Sequence, residues 1–535
     1  DGDGVGDLRG ITQKVQYLKD IGIDGAWLSP IFESPMADFG YDISNFRNIH
    51  HEYGTLEDFD ALAAKCKEVG VKLILDFVPN HTSDKHEWFR KSENKEPGYE
   101  DFYVWHPGKI VDGKRVPPNN WISVFRYSAW EWSEKRQEYY LHQFLKEQPD
   151  LNYRSPRVVQ EMKDTLTYWM DRGVDGFRVD AIIYMFEDAE LRDEPRTHNP
   201  GCTVDDACYL DHVYTVDQPE TYDMVFQWRA HLEEYTKQRG GGPKVLLMEA
   251  YTTLPNIQRL YGTPERPGAQ VPFNFVIMGN SDINSTGRHF NDLAQKWLDA
   301  MPEGAVANWV LGNHDNSRMS TRFGVGRADT LMIWLQTMPG IAVNYYSEEI
   351  RMIDTFISWE DTQDPAACHT SPEVFTAFSR DPVRTPMQWD DSKNAGFSRA
   401  NHTWVRMGID YPTNNVKRQL AAPRSPLKMF KKLLELRKYE AVLQDGTYDS
   451  KVLNDDVVVY RRMVEGVKAF YVVLNFGKAE HTVNVQDLFP EAPQTLTVVV
   501  STMNSKLVEG LPVDSQSVPL DREAGLVLEA NFAAV

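Results

Sequence analysis

Seven short apolar runs, separated mostly by stretches with helical periodicity, constrain the fold of this chain more than any other feature. The runs are Ala26–Phe32, Lys72–Val78, Gly176–Ala181, Val245–Tyr251, Val271–Ile277, Ala307–Gly312 and Ile341–Tyr346. Leu56–Val69 and Val158–Arg172 are examples of the helical stretches between them. Nearly continuous apolar strands that alternate with helices are typical of a parallel sheet covered by helices. The pattern therefore predicts an α/β fold.

The number of these units favours a closed barrel over an open sheet. Seven strands are one short of a (β/α)8 barrel (TIM barrel), and a first strand upstream of Asp1 would complete it. A doubly wound open sheet is the alternative, because periodicity alone does not separate the two architectures. We predict that 1–83 and 150–440 form the barrel.

Two segments interrupt the alternation of strands and helices. The segment 84–149, after the third strand of the predicted barrel, is rich in Trp, Tyr, Pro and charged residues. Loops of this length in a compact fold are usually functional, so we predict an inserted, loop-rich domain. After the predicted last barrel helix, Pro426–Glu440, short β-type runs indicate a C-terminal antiparallel β-sandwich domain at 441–535. These runs are Val457–Arg461, Phe470–Leu474, Thr482–Val485, Leu496–Val500 and Leu526–Leu528.

The charge of the chain excludes some classes of partner. It carries 57 basic and 78 acidic residues, a net charge of −21, without a cluster of Lys or Arg. Nucleic acids and anionic membranes require clustered positive charge, so neither is expected as the main partner. No run of eighteen apolar residues is present, so no membrane span is predicted. The balance is typical of a soluble protein that acts on a neutral substrate.

The four cysteines do not form a disulfide framework or a zinc site. Cys66, Cys202, Cys208 and Cys368 lack the spacing of zinc ligands, and four cysteines are few for a chain of 535 residues. Cys202 and Cys208 lie close together in a polar stretch and can pair if the protein is secreted. Free thiols are the alternative, and the sequence leaves both open.

Charged and polar clusters follow four of the predicted strands. They are D-F-V-P-N-H at 76–81, G-F-R-V-D-A at 176–181, M-E-A-Y at 248–251 and G-N-H-D-N at 312–316. The carboxyl ends of the strands form the active-site face of a (β/α)8 barrel. Carboxylates at the ends of apolar strands are costly to bury without a purpose. We therefore expect Asp180, Glu249 and Asp315 to converge on one cleft.

Two facing carboxylates suit the hydrolysis of a glycosidic bond, because one attacks the anomeric carbon while the other protonates the leaving oxygen. Arg178 lies two residues before Asp180, so on a strand both side chains point to the same face and the arginine favours an ionised Asp180. Glu249 lies beside aliphatic residues, which suits a proton donor. Structural ion pairs are the alternative for each residue taken alone. The combination with His81 and His314 favours a catalytic site.

In this order, the four clusters resemble the signature regions of glycoside hydrolase family 13, the α-amylase family. Q-P-D-L-N at 148–152 is similar to a fifth region, which marks the glucosidase branch. The resemblance covers nearly the whole chain and is to the insect digestive (midgut) maltases and the related oligo-1,6-glucosidases. It implies a retaining, exo-acting α-glucosidase that releases terminal α-1,4-linked glucose from maltose and short oligosaccharides, with sucrose as a further candidate.

The resemblance also implies roles for individual residues. Asp180 matches the nucleophile, Glu249 the general acid/base, and Asp315 the carboxylate that holds the 2- and 3-hydroxyls of the distorted sugar. Ala181 matches a position that tends to be Val in relatives that prefer α-1,6 linkages, so maltose is expected over isomaltose. Six further residues match substrate-binding positions: His81, Arg178 and His314 around the glucose, Asp42 and Arg384 as the pair that closes the pocket, and Tyr41 as the stacking platform.

The first seven residues, D-G-D-G-V-G-D, resemble the calcium loop of the family. Alternating carboxylates with intervening Gly provide an oxygen cage for a hard cation on a tightly turning chain. The resemblance implies Asp1, Asp3 and Asp7 as side-chain ligands and Val5 as a carbonyl ligand of a structural calcium ion. A solvated turn is the alternative. No organic cofactor is implied.

The chain departs from the family pattern at a few positions. Ser347 and Arg351 stand where Gly is usual, and Arg126 and Tyr127 stand where many relatives carry small residues. These changes are expected at the rim of the pocket and not at the three acidic residues.

The resemblance leaves two other roles open. The heavy chains of amino-acid transporters share the fold as non-catalytic, membrane-bound partner subunits, and Tyr209–Met224 resembles one of them as well as the maltases. The intact acidic residues favour the enzyme. We expect a secreted protein, or one held on the outer face of the plasma membrane by a lipid anchor whose signal has been removed. Some gut maltases of this type also bind a protein ligand, as receptors for bacterial toxins.

Three N-glycosylation sequons bear on the secreted location. Asn284 and Asn401 are predicted glycan sites, whereas Asn80 lies in a predicted buried strand end and is discounted. The sequence does not predict the natural disaccharide or the oligomeric state.

Overall fold

The computed structural model describes residues 2–532, which group into two compact units. We call Asp7–Gln16 with Asp24–Phe273 the amino-terminal unit. Asp1–Gly6, Tyr17–Ile23 and Asn274–Val535 make up the carboxy-terminal unit.

The α-helices, in chain order, are α1 Leu8–Ile21, α2 Leu56–Val69, α3 Glu87–Glu93, α4 Pro156–Asp171, α5 Pro219–Arg239, α6 Leu254–Tyr261, α7 Val276–Asn280, α8 Gly287–Asp299, α9 Met319–Arg322, α10 Val325–Thr337, α11 Pro365–Cys368, α12 Val416–Ala421, α13 Pro426–Tyr439, α14 Ala441–Gln444 and α15 Val485–Leu488. No helix within residues 2–532 is long and apolar enough to cross a membrane.

The strands, in chain order, are β1 Gly25–Leu28, β2 Phe32–Glu33, β3 Asn45–Ile49, β4 Lys72–Phe77, β5 Trp105–His106, β6 Lys109–Val111, β7 Lys114–Val116, β8 Trp130–Ser133, β9 Glu138–Leu141, β10 Gly176–Val179, β11 Val245–Met248, β12 Val271–Pro272, β13 Asn308–Val310, β14 Ile341–Val343, β15 Thr447–Val452, β16 Val457–Val464, β17 Lys468–Asn475, β18 His481–Val483, β19 Thr495–Ser501, β20 Pro512–Asp514, β21 Val518–Leu520 and β22 Gly525–Asn531.

A five-stranded sheet in the order β1–β4–β10–β11–β12 forms the centre of the amino-terminal unit, and every neighbouring pair is parallel. The parallel arrangement brings the carboxyl ends of β4, β10 and β11 to the same edge. Helix α2, which connects two of these strands, begins at a capping box between Thr55 and Asp58 and ends at Gly70 in the left-handed conformation. Its apolar face buries Phe59 and Leu62 in the core.

The predicted strands of the barrel are all present but shorter than expected. Each begins within one residue of its predicted start and ends before its predicted end. The prediction of a strand through Ile277 was wrong, because β12 ends at Pro272 and Val276–Asn280 is helical. The chain leaves each strand where residues of the polar clusters or irregular turns begin, and apolar content alone does not reveal that point.

The strands of the segment after β4 do not join the parallel sheet. It holds α3, a three-stranded antiparallel sheet in the order β5–β9–β8 and the hairpin β6–β7. A small apolar cluster of Trp121, Ala129, Trp130 and Leu141 is buried there. This segment therefore has a local core in addition to the core of the parallel sheet.

The carboxy-terminal unit contains the parallel pair β13–β14 and, after it in the chain, an antiparallel sheet. Six strands form that sheet in the order β15–β16–β17–β22–β19–β20, and β18 pairs separately with β21. The antiparallel C-terminal structure confirms the expectation from the short β-type runs. Strands β15, β20 and β21 were not predicted, because β15 is polar and the short strands β20 and β21 each contain a Pro.

The four cysteines form one disulfide and leave two free thiols. Cys202 and Cys208 are bonded, which settles the alternative that the sequence left open. Cys66 is a buried thiol and Cys368 an exposed one.

Gly176, at the start of β10, offers a test of how closely the sheet is packed. A Cβ atom there would lie 2.4 Å from Val245 Cγ1 and 2.5 Å from the Val245 carbonyl oxygen on β11. Gly176→Ala is therefore expected to separate β10 from β11 and to lower the melting temperature by several degrees. Gly242→Ala is the matched control, since nothing lies within 4 Å of its Cβ position. Equal melting temperatures for the two variants, by differential scanning fluorimetry, would contradict this account.

Candidate active site

Arg178 is the centre of a buried cluster of carboxyl groups at the ends of β4, β10 and β11. Its Nη1 lies 3.1 Å from both carboxylate oxygens of Asp76 and also donates a hydrogen bond to Asp180 Oδ1. Its Nη2 lies 3.2 Å from Glu249 Oε2. The Arg178 side chain is 2% exposed, so all three ion pairs are shielded from water. The predicted contact between Arg178 and Asp180 is present.

The sheet itself positions this cluster. The parallel register places Arg178 beside Asp76 on β4 and beside Leu247 on β11. Asp180 and Glu249 are the first residues after their strands, and each backbone N–H continues the sheet bonding. The Asp180 N–H donates to the Phe77 carbonyl at 2.9 Å, and the Glu249 N–H donates to the Val179 carbonyl at 3.0 Å. Both carboxyl groups are thus fixed to the edge of a rigid sheet.

The balance of charge in the cluster favours the retention of a proton. Burial raises the pKa of Asp180 well above its ordinary value, Arg178 opposes this shift, and the neighbouring carboxylates of Glu249 and Asp76 add to it. The expectation that Arg178 would dominate therefore needs correction, because desolvation outweighs it. Because three carboxyl groups share one guanidinium, the cluster as a whole favours one bound proton, and the reaction proposed below requires that proton to lie on Glu249 while Asp180 is ionised.

Asp76 is a member of this cluster that the sequence analysis did not select. It is 1% exposed, and it accepts hydrogen bonds at 3.2 Å from Trp27 Nε1 and from the Tyr41 hydroxyl. Burial raises the pKa of Asp76 to about 6, although Arg178 opposes the shift. A carboxylate inside the apolar run K-L-I-L-D-F was a signal that could have identified it.

His81 is buried beside this cluster with protein partners on both ring nitrogens. Its Nε2 lies 3.1 Å from the Tyr41 carbonyl and from Gln148 Nε2, and its Nδ1 lies 3.1 Å from Asn80 Nδ2. Burial lowers the pKa of His81 to about 4, so the ring is neutral at pH 7. The ring of Phe144 lies 5.1 Å from the His81 ring. The predicted ligand is therefore held in a fixed orientation.

Asp42 organises the loop that precedes it. Its carboxylate accepts hydrogen bonds from the Ser34 hydroxyl at 2.9 Å and from the backbone N–H groups of Ala37 at 2.8 Å and Asp38 at 2.9 Å. Burial raises the pKa of Asp42, and these hydrogen bonds partly offset the shift. Tyr41, the predicted stacking residue, is 8% exposed.

Ala181 turns the chain immediately after the predicted nucleophile. Its φ is 49° and its ψ is 32°, in the left-handed region that few residues other than Gly adopt. The Ala181 N–H donates a hydrogen bond to Glu249 Oε2 at 2.9 Å. The residue therefore contributes a hydrogen bond to the predicted acid/base, in addition to its small side chain.

Asp315 is bound by two arginines within the carboxy-terminal unit. Arg384 Nη2 lies 2.9 Å and Arg380 Nη1 3.3 Å from Asp315 Oδ1, and His314 Nε2 lies 3.4 Å from Asp315 Oδ2. Arg384 Nε also donates to the His314 carbonyl at 2.8 Å. Arg380, which Asp364 anchors at 2.7 Å, was not selected from the sequence, although it precedes Arg384 in S-R-D-P-V-R.

The predicted site residues fall in both units. Asp180 and Glu249 belong to the amino-terminal unit, and Asp315 belongs to the carboxy-terminal unit. Asp42 and Arg384 are divided in the same way. The convergence of the three acidic residues and the pairing of Asp42 with Arg384 therefore stay predictions.

The four departures from the family pattern share one backbone property. Ser347, Arg351, Arg126 and Tyr127 have φ values of 72°, 57°, 78° and 65°, all in the left-handed region. Because a side chain at such a φ carries steric strain, Gly is the favoured residue there. A larger residue at these positions requires a compensating contact.

The predicted calcium loop is described in part. The Val5 N–H donates to Asp3 Oδ1 at 2.8 Å, and the Gly10 N–H donates to Asp7 Oδ1 at 2.6 Å. Asp1 lies outside the described residues, and within those residues no group of three or more His, Cys, Asp or Glu side chains forms a metal cluster. Carboxylate and carbonyl oxygens fit a hard cation, so calcium at this loop stays a prediction.

The chain is similar to known proteins over nearly its whole length. The Alpha-amylase profile, described as alpha amylase, catalytic domain, matches residues 1–446. The chain is 54% identical to the salivary alpha-glucosidase of Anopheles gambiae, over 99% of this chain and 90% of that protein. It is 50% identical to Maltase A1 of Drosophila melanogaster, over 99% of this chain and 93% of that protein.

A solved structure of an alpha-glucosyl transfer enzyme, XgtA, is similar over the full length. It has a TM-score of 0.86 and 31% identity, and the match covers 99% of this chain and 96% of that one. With the parallel and antiparallel sheets above, these matches confirm the predicted fold class. The fold class is that of the (β/α)8 barrel, with an insertion after β4 and a C-terminal antiparallel β domain.

A relative with a different name and role, a transporter subunit, is more distant. The amino acid transporter heavy chain SLC3A1 of Mus musculus is 36% identical, over 100% of this chain and 76% of that protein. Its identity is lower than that of the two glucosidases by 18 and 14 percentage points (54 − 36 and 50 − 36).

The raised pKa of Asp76 generates a prediction about stability. Its pKa of about 6 in the folded protein lies above the value of about 3.9 for an unfolded chain, so the folded state binds more protons between pH 4 and 6. This contribution to stability is present below pH 4 and is lost as the pH rises through 6. Relative to Asp76→Asn, the wild-type protein should gain about 2 kcal/mol between pH 6 and pH 4.

Thermal unfolding across pH 4 to 7 measures this difference. Asp60→Asn is the control, because Asp60 is 51% exposed in its pair with Arg172 and exposed pairs contribute little. A plot of the melting temperature of Asp60→Asn against pH should run parallel to that of the wild type. A parallel profile for Asp76→Asn as well would show that Asp76 is not protonated in this range.

Proposed function

This chain belongs to the α-amylase family of glycoside hydrolases, and from this premise we propose that it is a retaining, exo-acting α-glucosidase of the maltase type. The substrate is a neutral α-glucoside, and the product is one terminal glucose. The observation that carries the proposal is the contact of Arg178 with both Asp180 and Glu249 at adjacent strand ends. This arrangement places two carboxyl groups with different surroundings on one rigid edge.

The first step of the proposed reaction forms a covalent glucosyl-enzyme. One Asp180 oxygen attacks the anomeric carbon as the bond to the leaving oxygen breaks, and Glu249 gives its proton to that oxygen. Arg178 orients Asp180 and offsets part of its charge. The Ala181 N–H and Arg178 Nη2 both contact Glu249 Oε2, so they fix the direction in which Glu249 delivers the proton.

The second step releases glucose with its original configuration. Glu249, now ionised, takes a proton from a water molecule, and the water oxygen attacks the anomeric carbon as the bond to Asp180 breaks. Two inversions at the same carbon give retention. Asp180 leaves as a carboxylate, and Glu249 regains its proton for the next cycle.

We propose that the residues matched by the family resemblance to substrate-binding positions recognise the sugar. Asp315 would bind the 2- and 3-hydroxyls of the distorted ring, with His314 and His81 as neighbouring ligands. Burial keeps the His81 ring neutral, so it adds no charge to the site, and its contacts with Tyr41, Gln148 and Asn80 hold it in one orientation. Asp42 and Arg384 would close the pocket beyond the non-reducing end, with Tyr41 beneath the ring. A closed pocket explains the removal of single glucose units.

Several features support an extracellular location. The relative from Anopheles gambiae is named as a salivary protein, and a disulfide joins Cys202 to Cys208, as is common in oxidising compartments. Asn284 and Asn401 are exposed and accessible to glycosylation, whereas Asn80 is buried. We include secretion, both glycans and a structural calcium ion at the first seven residues in the proposal. Attachment by a lipid anchor and a role as a toxin receptor are further proposals that rest on the family resemblance.

The transporter heavy chain is the second candidate, and the acidic cluster argues against it. Burying three carboxyl groups around one arginine costs stability, and a purely structural partner subunit gains nothing from that arrangement. The lower identity to the heavy chain points the same way.

Replacement of the proposed nucleophile tests the reaction directly. Asp180→Gly should lower turnover of α-glucosyl fluoride by about 10⁴-fold or more, since the covalent step is lost. Azide should then restore cleavage and yield β-glucosyl azide, because it attacks from the face that Asp180 occupied. The wild-type enzyme should release α-glucose first, as measured by proton NMR. Asp60→Asn is the control and should keep full activity. Release of β-glucose as the first product would contradict retention.

Linkage preference is expected to depend on Ala181. The second sugar of maltose lacks the extra exocyclic carbon of an α-1,6 link, so it crowds the wall near residue 181 more closely. Ala181→Val adds stiff, branched bulk and should lower kcat/KM for maltose relative to isomaltose by about 10-fold or more. The left-handed φ of 49° adds strain with Val, so the melting temperature should also fall.

The ratio of kcat/KM for maltose to kcat/KM for isomaltose distinguishes the effect of side-chain bulk from that of backbone strain. Ala181→Gly is the matched control, because it keeps the backbone conformation and adds no bulk. Its ratio of kcat/KM for maltose over isomaltose should equal that of the wild type and exceed one. A ratio that Ala181→Val leaves unchanged would refute this role of residue 181.

A further inference from the structure

We propose that Arg318 is a positioning residue that fixes Asp315 in the orientation required for catalysis, and that the Ser347 hydroxyl is part of this device. The inference rests on the role proposed above for Asp315, and it assigns to Arg318 no contact with the substrate. All the residues involved belong to the carboxy-terminal unit.

Arg318 lies three residues after Asp315 in the loop that follows β13, and it is 1% exposed. Its Nη1 donates to the Tyr346 carbonyl at 3.0 Å and to the Ser347 hydroxyl, both of which follow β14. Its Nη2 lies 3.5 Å from the Thr385 carbonyl. One side chain thus links the Asp315 loop to two other segments of the unit.

Two tyrosines extend this link to the segment that carries Arg384. The Tyr345 hydroxyl donates to the Val383 carbonyl at 3.1 Å, and the Tyr346 hydroxyl donates to the Thr385 carbonyl at 2.6 Å. The two acceptors are the neighbours of Arg384 on either side. The Arg318 guanidinium also lies over both rings, 5.2 Å from the Tyr345 centroid and 4.8 Å from the Tyr346 centroid.

These contacts form a closed ring. Asp315 binds Arg384 at 2.9 Å, the carbonyls beside Arg384 bind the two tyrosine hydroxyls, and the tyrosines bind Arg318. Arg318 returns to Asp315 through Asn316 and Ser317 of the same loop. Since a guanidinium presents several donors in a fixed plane, it can hold two segments at once in a way that a flexible ammonium group cannot.

The backbone of Ser347 indicates that its hydroxyl has a specific use. Ser347 is fully buried with a φ of 72°, where Gly would be free of strain. A Ser at this position carries a steric cost, and its hydroxyl accepts a hydrogen bond from Arg318 Nη1. We attribute the presence of Ser to that bond.

Arg351 provides a matched control four residues further along. It also has a left-handed φ, 57°, and its Nε lies 3.2 Å from Asp329 Oδ1. Asp329 is buried and accepts a hydrogen bond from the Met503 N–H at 2.9 Å. This ion pair stabilises the same segment, but none of its residues belongs to the ring around Asp315.

The experiment compares Ser347→Ala, Ser347→Gly, Arg318→Lys and Arg351→Ala in the full chain. Ser347→Ala removes the hydroxyl and keeps the strained φ, whereas Ser347→Gly removes both. Each variant is measured for melting temperature, for kcat and KM with p-nitrophenyl α-glucoside, and for the Kd of the iminosugar 1-deoxynojirimycin by calorimetry.

Misplacement of Asp315 should affect the transition state more than the bound substrate. We expect kcat to fall about 10-fold in both Ser347 variants and about 100-fold in Arg318→Lys, with much smaller changes in KM. Ser347→Gly should melt higher than Ser347→Ala because the strain is relieved. Arg351→Ala should melt lower than the wild type and keep its kcat.

A double-mutant cycle on iminosugar binding isolates the path through Asp315. In an Asp315→Asn background, Ser347→Ala should cause no further loss of affinity, because the group that it positions is already altered. If Asp315→Asn binds the iminosugar as the wild type does, the role proposed for Asp315 fails. If Asp315→Asn weakens binding while Ser347→Ala changes neither Kd nor kcat, the positioning role fails. A loss of kcat that follows melting temperature across all variants, Arg351→Ala included, would also overturn it.

Discussion

Three carboxyl groups and one guanidinium share a buried space at the carboxyl ends of β4, β10 and β11. Arg178 contacts Asp76, Asp180 and Glu249 together, and the geometry exists because three parallel strands present their ends at one edge. Removing Arg178 would leave the three carboxyl groups without a counter-charge in a medium of low dielectric constant. The chemistry proposed for the site depends on this imbalance, because one acid must hold a proton while the other is ionised.

Strained backbone conformations occur at two positions that contact the proposed site residues or their supports. Ala181 and Ser347 both adopt left-handed φ values, 49° and 72°, and each makes a hydrogen bond to a charged side chain. The Ala181 N–H reaches Glu249, and the Ser347 hydroxyl receives the Arg318 guanidinium. Strain of this kind persists where the surrounding structure fixes it, and it is common near functional groups. The rigid sheet and the ring around Asp315 provide that support.

Local patterns in the sequence were sufficient for the class of fold and the principal chemistry. Buried strands reveal themselves as continuous apolar runs, and helix α2 reveals itself through its period, its Thr55 cap and Gly70. Asp180 and Glu249 stand out because an acidic residue directly after an apolar run is unusual. Each of these signals lies within a few residues, so a single sequence contains it in full.

The tertiary structure decided what depends on residues that are distant in the chain. The roles of Asp76, Arg380 and Arg318 appear only when strands and loops from separate parts of the sequence meet, and the pairing of Cys202 with Cys208 required the path of the loop between them. The raised pKa of Asp180 could not be predicted from the sequence either, because desolvation depends on burial by residues on every side of the carboxyl group. Residue types and their order determined which chemistry was available to this protein. Three-dimensional contacts determined which side chains position the proposed catalytic groups.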